Sequence, residues 1–196
     1  ASFFQHHSVR YACISPGSRN SPLTYAFTHN PGITCYSHVD ERSSSFFALG
    51  LSKSSRRPVV IISTSGTAAA NFFPAVIEAS LSRVSLIIIS ADRPDNLIGS
   101  GANQTINQQE LYGRHVRYFK DVGLPKENLN SFEKILLQAM NHSNGIDLAL
   151  PPGPVHLNFP FDEPLLSDNV QKIKCPQFSF ESSRRIETNS TNIPVL

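Results

Sequence analysis

The stretch "PVVIIS", Pro58 to Ser63, decides the fold, and "SLIIISA", Ser85 to Ala91, repeats its character. Both runs are almost continuously apolar and rich in β-branched residues. An unbroken apolar run of this length is typical of a strand covered by helices on both faces, whereas a half-exposed strand alternates. Strands covered on both faces occur mainly in parallel sheets, so the sequence predicts a parallel sheet inside an α/β domain.

Four more runs of strand character alternate with segments of helical periodicity. They are "YACIS" (11–15), "ITCYSHV" (33–39), "VRYFKDV" (116–122) and "PVHLNF" (154–159). Strands joined through helices by short connections form right-handed crossovers. The expected architecture is an open, doubly wound, mainly parallel six-stranded sheet with helices on both faces.

The helical segments are expected at 21–30, 41–54, 68–81 and 131–141. Ser21 followed by Pro22 is typical of a cap and a first-turn proline. In the second segment, one broad face is expected to carry Phe46, Phe47, Leu49, Gly50 and Leu51. In the third, Pro74 is expected to bend the helix.

The chain of 196 residues is long enough for one domain with a buried core, which we place at 1–165. From 166 to 196 the sequence is polar and rich in serine and asparagine, as in a linker or exposed tail. The chain starts without methionine or an apolar leader, which is expected of a trimmed or partial chain.

Composition excludes several classes of function. A formal net charge of +2 lacks the basic excess that binding of nucleic acid usually requires. The longest apolar runs are far below the roughly 18 residues of a membrane span. Three cysteines without a CxxC pair argue against a disulfide framework or a cysteine zinc site, and fit a reducing compartment such as the cytoplasm or a plastid stroma.

Ligands of open α/β sheets bind beyond the carboxyl ends of the strands, so the joints that follow the strands are candidate sites. "SPGSR" follows the first strand, where Ser18 offers a hydroxyl and Arg19 a planar fork suited to a carboxylate or phosphate. A plain turn with a solvated arginine explains this stretch equally well.

Three later joints are also polar. "TSGTA", Thr64 to Ala68, offers backbone N–H groups at a helix start, although an ordinary capped helix has the same pattern. Arg93 in "DRP" suits an anion or a structural ion pair. "GANQ", with Asn103 and Gln104, lies in a joint running from about 92 to 114, a length that is more often functional than idle.

Other catalytic patterns are absent: the sequence has no GxGxxG, GxxxxGK[ST], GxSxG or HExxH. His38 precedes Glu41 by three residues, but a lone pair of this kind is more often incidental than a metal site. No metal ligand is therefore predicted in this chain.

Taken in order, six stretches resemble the N-terminal pyrimidine-binding domain of thiamine-diphosphate enzymes. They are "SPGSRNSPL", "HVDERSSSFFALGLSK", "TSGTAAANFFPAVIEA", "SADRPDNL", "GANQTINQ" and "GPVHLNFPFDEPL", and they extend over roughly 11–165. Within that superfamily the chain is most similar to the 2-succinyl-5-enolpyruvyl-6-hydroxy-3-cyclohexene-1-carboxylate synthase family of menaquinone and phylloquinone biosynthesis.

The resemblance implies a role for Glu41. In these enzymes the matching glutamate hydrogen-bonds N1′ of the cofactor's aminopyrimidine and promotes the imino tautomer that removes the thiazolium C2 proton. Burial against Phe46 and Phe47 is expected to favour the protonated carboxyl group that this needs. Without the resemblance, Glu41 reads as a first-turn acid stabilised by the helix dipole. The pyrimidine pocket would be lined by Thr64, Ser65, Gly66 and Thr67.

The family's reaction decarboxylates 2-oxoglutarate and adds the resulting succinic-semialdehyde unit to isochorismate. By resemblance, the isochorismate side comprises Ser18, Arg19, Arg93, Asn103 and Gln104. The family holds Mg²⁺ and the cofactor's diphosphate with a GDG motif on a later domain, and no GDG occurs here.

A chain without that motif is expected to hold half of a site, to be inactive alone, and to meet the diphosphate-binding domain of another subunit in a homo-oligomer. Alternative interpretations are a non-catalytic binding subunit, a relic domain, or another thiamine-diphosphate 2-oxo-acid decarboxylase.

Overall fold

The computed structural model describes residues 1–124, 129–146 and 150–166. In chain order the elements are α1 (Ser2–His6), β1 (Tyr11–Ile14), α2 (Ser21–Thr28), β2 (Thr34–Ser37), α3 (Glu41–Ser55), β3 (Val59–Ser63), α4 (Thr67–Ala70), α5 (Phe73–Leu81), β4 (Leu86–Asp92), β5 (Phe119–Asp121), α6 (Leu129–Asn144) and β6 (Val155–Pro160). The predicted tail, apart from Leu166, lies outside the described residues, as does Cys175.

The six strands form one sheet in the order β2-β1-β3-β4-β6-β5, and every neighbouring pair is parallel. The predicted six-stranded, parallel, doubly wound sheet is confirmed. Every residue of β3 and β4 is buried, as their apolar sequences predicted. Each fully buried aliphatic side chain contributes about 1.5–3 kcal/mol, so these two central strands anchor the core.

Helices cover both faces of the sheet. Ile62 and Ile87 pack in a cluster with residues of α1, α2 and α6. Ile61 and Ile88, the alternate residues of the same strands, pack with residues of α3 and α5. This alternation follows from the period of two along a strand, and it explains why both strands need apolar residues at every position.

The start of α2 differs from the expectation by one residue. Asn20, not Ser21, occupies the cap position, and Ser21 and Pro22 begin the helix. The Asn20 side chain accepts a hydrogen bond from the Gly17 N–H at 3.0 Å and donates to the Ser15 carbonyl at 2.8 Å. Asn20 therefore stabilises the turn after β1 instead of capping the helix.

The apolar face predicted for α3 is buried only in part, since Leu49 is buried but the two aromatic residues are not. Phe46 and Phe47 are each 40% exposed. The residues that are buried are small or aliphatic: Ser44, Ser45, Ala48, Leu49 and Ser52. Small side chains allow the helix to lie close to the sheet. The Phe47 ring packs at the margin of this contact, against Tyr36 and His38.

The helix predicted over 68–81 is two helices. Pro74 is the second residue of α5. Proline has no backbone N–H and disfavours a helical residue before it, so it starts a new helix more readily than it continues an old one. The break leaves Asn71 at the end of α4.

No described helix is both long enough and apolar enough to cross a membrane.

Candidate active site at the carboxyl edge of the sheet

The chain leaves β1 toward one edge of the sheet and β3 toward the other, so the carboxyl ends of these neighbours border a topological switch point. The two joints that follow them touch. A Cβ built on Gly17 would lie 2.4 Å from Thr64 Cβ, closer than real Cβ atoms approach other atoms. Glycine at position 17 is therefore required by the approach of "SPGSR" to "TSGTA".

Glu41 is the first residue of α3, after Asp40, whose carboxylate caps the helix by accepting the Ser43 N–H at 2.8 Å. The half-buried Glu41 accepts a hydrogen bond at Oε2 from Nδ2 of Asn71 at 3.5 Å. The break between α4 and α5 thus brings the joint after β3 to the carboxylate. Sequence reasoning missed Asn71, although it closes the quoted stretch "TSGTAAAN".

The expected burial of Glu41 against Phe46 and Phe47 is wrong. Five and six residues further along a helix, these rings point roughly 120–140° away from Glu41 around the axis. His38, just before α3, has a buried Nε2 with no hydrogen-bond partner among the described residues. A polar group of this kind needs a partner from water, ligand or another chain.

The joint after β3 is tied to the long joint after β4. The buried Ser65 donates from Oγ to the Gln104 carbonyl at 3.1 Å and accepts from Arg93 Nη1 at 2.6 Å. Gln104 in turn donates from Nε2 to the Ser65 carbonyl at 3.1 Å. Gly66 has φ of +79°, and a Cβ there would lie 2.9 Å from Gln104.

The Gly66 N–H donates to Gln108 Oε1 at 2.7 Å. The sequence suggested a backbone N–H available to a ligand at this position, and in the structure the protein itself uses it. The two threonines of the stretch differ, because Thr64 is buried against Gly17 while Thr67 is exposed at the start of α4.

Arg19 and Arg93 lie at the same edge. The Arg19 side chain is only 8% exposed, and it donates from Nη1 to the Phe161 carbonyl at 3.0 Å and from Nη2 to Glu163 Oε1 at 3.1 Å. Burial, and then the positive charge of Arg19, lowers the pKa of Arg93. The two predicted cations are therefore close enough to repel each other.

The other predicted substrate residues are at the surface. Ser18 and Asn103 are exposed, and their carbonyls accept hydrogen bonds from Ser21 and Thr105. The structure thus brings Arg93 and Gln104 into contact with the same residue, Ser65. Arg19 has other hydrogen-bond partners and affects Arg93 through its charge.

A buried polar network supports this edge, and sequence reasoning did not find it. Gln108 donates from Nε2 to Asn158 Oδ1 at 2.8 Å and to the Ala91 carbonyl at 3.1 Å. Asn158 Nδ2 donates to Asp92 at 2.8 Å and Asp121 at 2.9 Å. Burial raises the pKa of Asp92, which favours its neutral form. The available signal was the pair of polar residues, His156 and Asn158, at alternate positions of the strand β6.

His156 ends the network on the α3 side of the sheet. Its Nε2 is 2.7 Å from Ser90 Oγ, which also donates to Asn158. Full burial lowers the pKa of His156 to about 3, so the ring is neutral near neutral pH. Within the described parts of the chain, no group of three or more His, Cys, Asp and Glu residues could hold a metal ion.

Comparison with known families agrees with this arrangement. Residues 1–111 match the family described as "Thiamine pyrophosphate enzyme, N-terminal TPP binding domain". The chain belongs to this family. The matched range contains Glu41, the joint after β3 and the whole "GANQTINQ" stretch. The match ends at residue 111, so it does not include β6 or Glu163, which also contribute to the carboxyl edge of the sheet.

Curated relatives carry a more specific name. A 2-succinyl-5-enolpyruvyl-6-hydroxy-3-cyclohexene-1-carboxylate synthase of Listeria innocua serovar 6a is 52% identical over 160 residues, which is 81% of this chain and 27% of the relative. A synthase of the same name from Halobacterium salinarum is 48% identical over 87% of this chain. Another, from Lysinibacillus sphaericus, is 49% identical over 89% of this chain. The chain spans only 27–30% of the length of these relatives.

Proposed function

We propose that this chain is the pyrimidine-binding domain of a thiamine-diphosphate-dependent 2-succinyl-5-enolpyruvyl-6-hydroxy-3-cyclohexene-1-carboxylate synthase. The reaction decarboxylates 2-oxoglutarate and transfers the succinic-semialdehyde unit to isochorismate. One observation carries the proposal: a helix-start carboxylate, Glu41, and two arginines, Arg19 and Arg93, lie on joints along the same edge of one parallel sheet. The relatives' name supports the choice of substrates.

The residues at the switch point fit the cofactor's pyrimidine. The two joints approach closely at Gly17 and Thr64, where the first joint presents backbone and no side chain, and Glu41 begins α3 at the same edge of the sheet. Thiamine diphosphate would supply the thiazolium carbon that attacks the 2-oxo group and stabilises the product of decarboxylation. Glu41 would share a proton with the pyrimidine N1′, and Thr64, Ser65, Gly66 and Thr67 would line the ring.

Asn71 gives Glu41 a fixed orientation in this proposal, because a neutral amide donor holds one carboxylate oxygen without competing for a proton. Arg19 and Arg93 would bind substrate carboxylates, with Ser18, Asn103 and Gln104 beside them. Arginine suits this task because its planar fork matches a carboxylate and keeps its charge when partly buried.

Mg²⁺ and the diphosphate would be held by a separate domain from another subunit, so the working unit would be a homo-oligomer. The relatives are more than three times as long as the matched segment, which leaves room for such a domain. A reducing compartment, the cytoplasm or a plastid stroma, fits the free thiols of Cys13 and Cys35.

The test is an assay of the protein encoded by the complete gene, following loss of isochorismate with 2-oxoglutarate, thiamine diphosphate and Mg²⁺. We expect loss of isochorismate that requires all three of 2-oxoglutarate, thiamine diphosphate and Mg²⁺, and no loss with the 196-residue chain alone. Release of CO₂ from 2-oxoglutarate without consumption of isochorismate would instead indicate another 2-oxo-acid decarboxylase. Binding of isochorismate without any turnover would indicate a non-catalytic binding subunit or a relic domain.

A further inference from the structure

The ion pair between Arg19 and Glu163 is asymmetric. The Arg19 side chain is 8% exposed, whereas the Glu163 side chain is 72% exposed. Arg19 is also held by the Phe161 carbonyl at 3.0 Å, which does not depend on Glu163. One partner is therefore fixed in the protein and the other reaches it from water.

The charges around this pair are unbalanced. Arg19 and Arg93 lie close enough for the charge of Arg19 to lower the pKa of Arg93, and the charges of Asp92 and Glu163 act in the opposite direction. Asp92 already faces Asn158 and the Arg93 backbone N–H. Glu163 is thus the solvent-exposed counter-ion of a site with two cations.

We propose that Glu163 is a specificity-determining residue: its carboxylate occupies the Arg19 fork in the free protein, and a substrate carboxylate must replace it there. This inference rests on the proposed function, in which isochorismate, a dicarboxylate, binds at Arg19 and Arg93. A ligand without a carboxylate offers no substitute for Glu163 and so would gain nothing at this position.

Replacement requires little free energy. An ion pair with a solvent-exposed partner contributes little to stability, because water rehydrates the released carboxylate. Arg19 keeps its hydrogen bond to the Phe161 carbonyl, so the guanidinium stays in place while its remaining N–H groups donate to the new carboxylate. The same position in space is then filled by a carboxylate in both states.

The chain offers a matched control. Asp162 precedes Glu163 and is exposed, and its Oδ1 accepts the Glu163 N–H at 2.9 Å. Asp162→Asn removes the same charge as Glu163→Gln and retains that acceptor oxygen. Its side chain makes no hydrogen bond or ion pair with Arg19 among the contacts of the described residues.

The experiment measures isochorismate binding calorimetrically to the protein encoded by the complete gene, in the absence of 2-oxoglutarate, and then KM for each substrate. We expect Glu163→Gln to lower the dissociation constant for isochorismate by about two- to fivefold. The KM for isochorismate should fall more than the KM for 2-oxoglutarate, and Asp162→Asn should leave both binding and KM as in the wild type.

Three results would overturn the inference. A weaker affinity in Glu163→Gln would mean that the carboxylate helps to bind the substrate instead of being replaced by it. Equal effects of the two variants would indicate general charge and not the contact with Arg19. If the wild-type protein failed to bind isochorismate at all, the proposed function would fall as well, which distinguishes that failure from the first two.

Discussion

Asn71 Nδ2 donates to Glu41 Oε2 at 3.5 Å and so joins the end of α4 to the start of α3. The contact exists because the segment predicted as one helix divides before Pro74. Glu41 has no other side-chain hydrogen bond among those of the described residues. The first two predictions follow from this pair.

Replacing Glu41 by glutamine should abolish the proposed synthase activity while the domain stays folded. Glutamine keeps the shape but cannot exchange a proton, and proton transfer by a placed group contributes at least about a hundredfold in rate. The lost interaction with the α3 dipole should lower the free energy of unfolding by only about 0.3–1 kcal/mol. Initial rates and urea denaturation measure the two effects, and the exposed Glu110→Gln is the control. Activity within a few-fold of wild type would remove Glu41 from the mechanism.

Asn71→Ala should reduce the rate moderately, because it removes the donor that orients Glu41 but leaves the carboxylate. A hydrogen bond of about 0.5–1.5 kcal/mol corresponds to about a two- to tenfold loss in kcat. Asn71→Asp should lose more, since it places a second carboxylate beside the first. Rates of both variants equal to wild type would show that the contact does not orient Glu41.

The sheet could be predicted because each strand has a local sequence pattern that is typical of a strand. The apolar β3 and β4 and their alternation with helices are enough for the six-stranded parallel sheet. The errors concern interactions that no local pattern encodes. Phe46 and Phe47 look like core residues, but the residues of α3 that are buried on the sheet are small or aliphatic, such as Ala48 and Leu49. Which residues these are depends on how the helix packs on the sheet, and this is not written in the local sequence.

The candidate site could be predicted only in part for the same reason. The general rule for parallel sheets placed Arg19 and Arg93 at one edge, and the structure brings them together. The partner of Arg19 could not be foreseen, because Glu163 is 144 residues away along the chain. Gln108 ends the stretch "GANQTINQ", but the sequence predicted no role for it. The hydrogen bonds of a buried side chain depend on which strands lie beside it in the fold, and sequence spacing does not show this.

Gln108→Leu should destabilise the domain strongly. It leaves the Gly66 N–H without the acceptor it has now, and it removes one donor each from the Ala91 carbonyl and from the Asn158 amide oxygen, which keeps its hydrogen bond from Ser90. A buried polar group left unpaired costs about 1–3 kcal/mol, so we expect a loss of about 1–3 kcal/mol in the free energy of unfolding from Gly66 alone. Urea denaturation of the 196-residue chain gives this value. The exposed neighbour Gln109→Leu should change stability by no more than about 0.5 kcal/mol, and equal losses in both would contradict the network.

His156 should make the domain sensitive to acid. Burial lowers the pKa of this ring from 6.5 to about 3, so in that interval the unfolded chain binds a proton that the folded chain does not. Stability therefore falls as pH falls below about 6.5, by up to about 1.4 kcal/mol per unit, or about 2 kcal/mol between about pH 7 and about pH 5. His156→Gln should remove this component. The difference in the free energy of unfolding between variant and wild type should therefore change by about 2 kcal/mol between about pH 7 and about pH 5. If urea denaturation gave the same pH dependence for both proteins, His156 would not be the source of the acid sensitivity.

Gly17→Ala should disrupt the contact between the two joints at the switch point. A second substitution, at Thr64, tests whether a clash with Thr64 is the cause. The new methyl group would lie 2.4–2.7 Å from three side-chain atoms of Thr64, so one of the two joints must move, at about 1–3 kcal/mol of stability. In the complete enzyme the displaced joint should also raise the KM for thiamine diphosphate. Gly50→Ala is the control, because nothing lies within 4 Å of a Cβ there and alanine in this helix should stabilise by about 0.5–1 kcal/mol. Combining Gly17→Ala with Thr64→Gly removes all three clashing atoms, so the paired variant should unfold at a higher urea concentration than the sum of the two single effects predicts. Simple additivity would mean that the two joints do not depend on this contact.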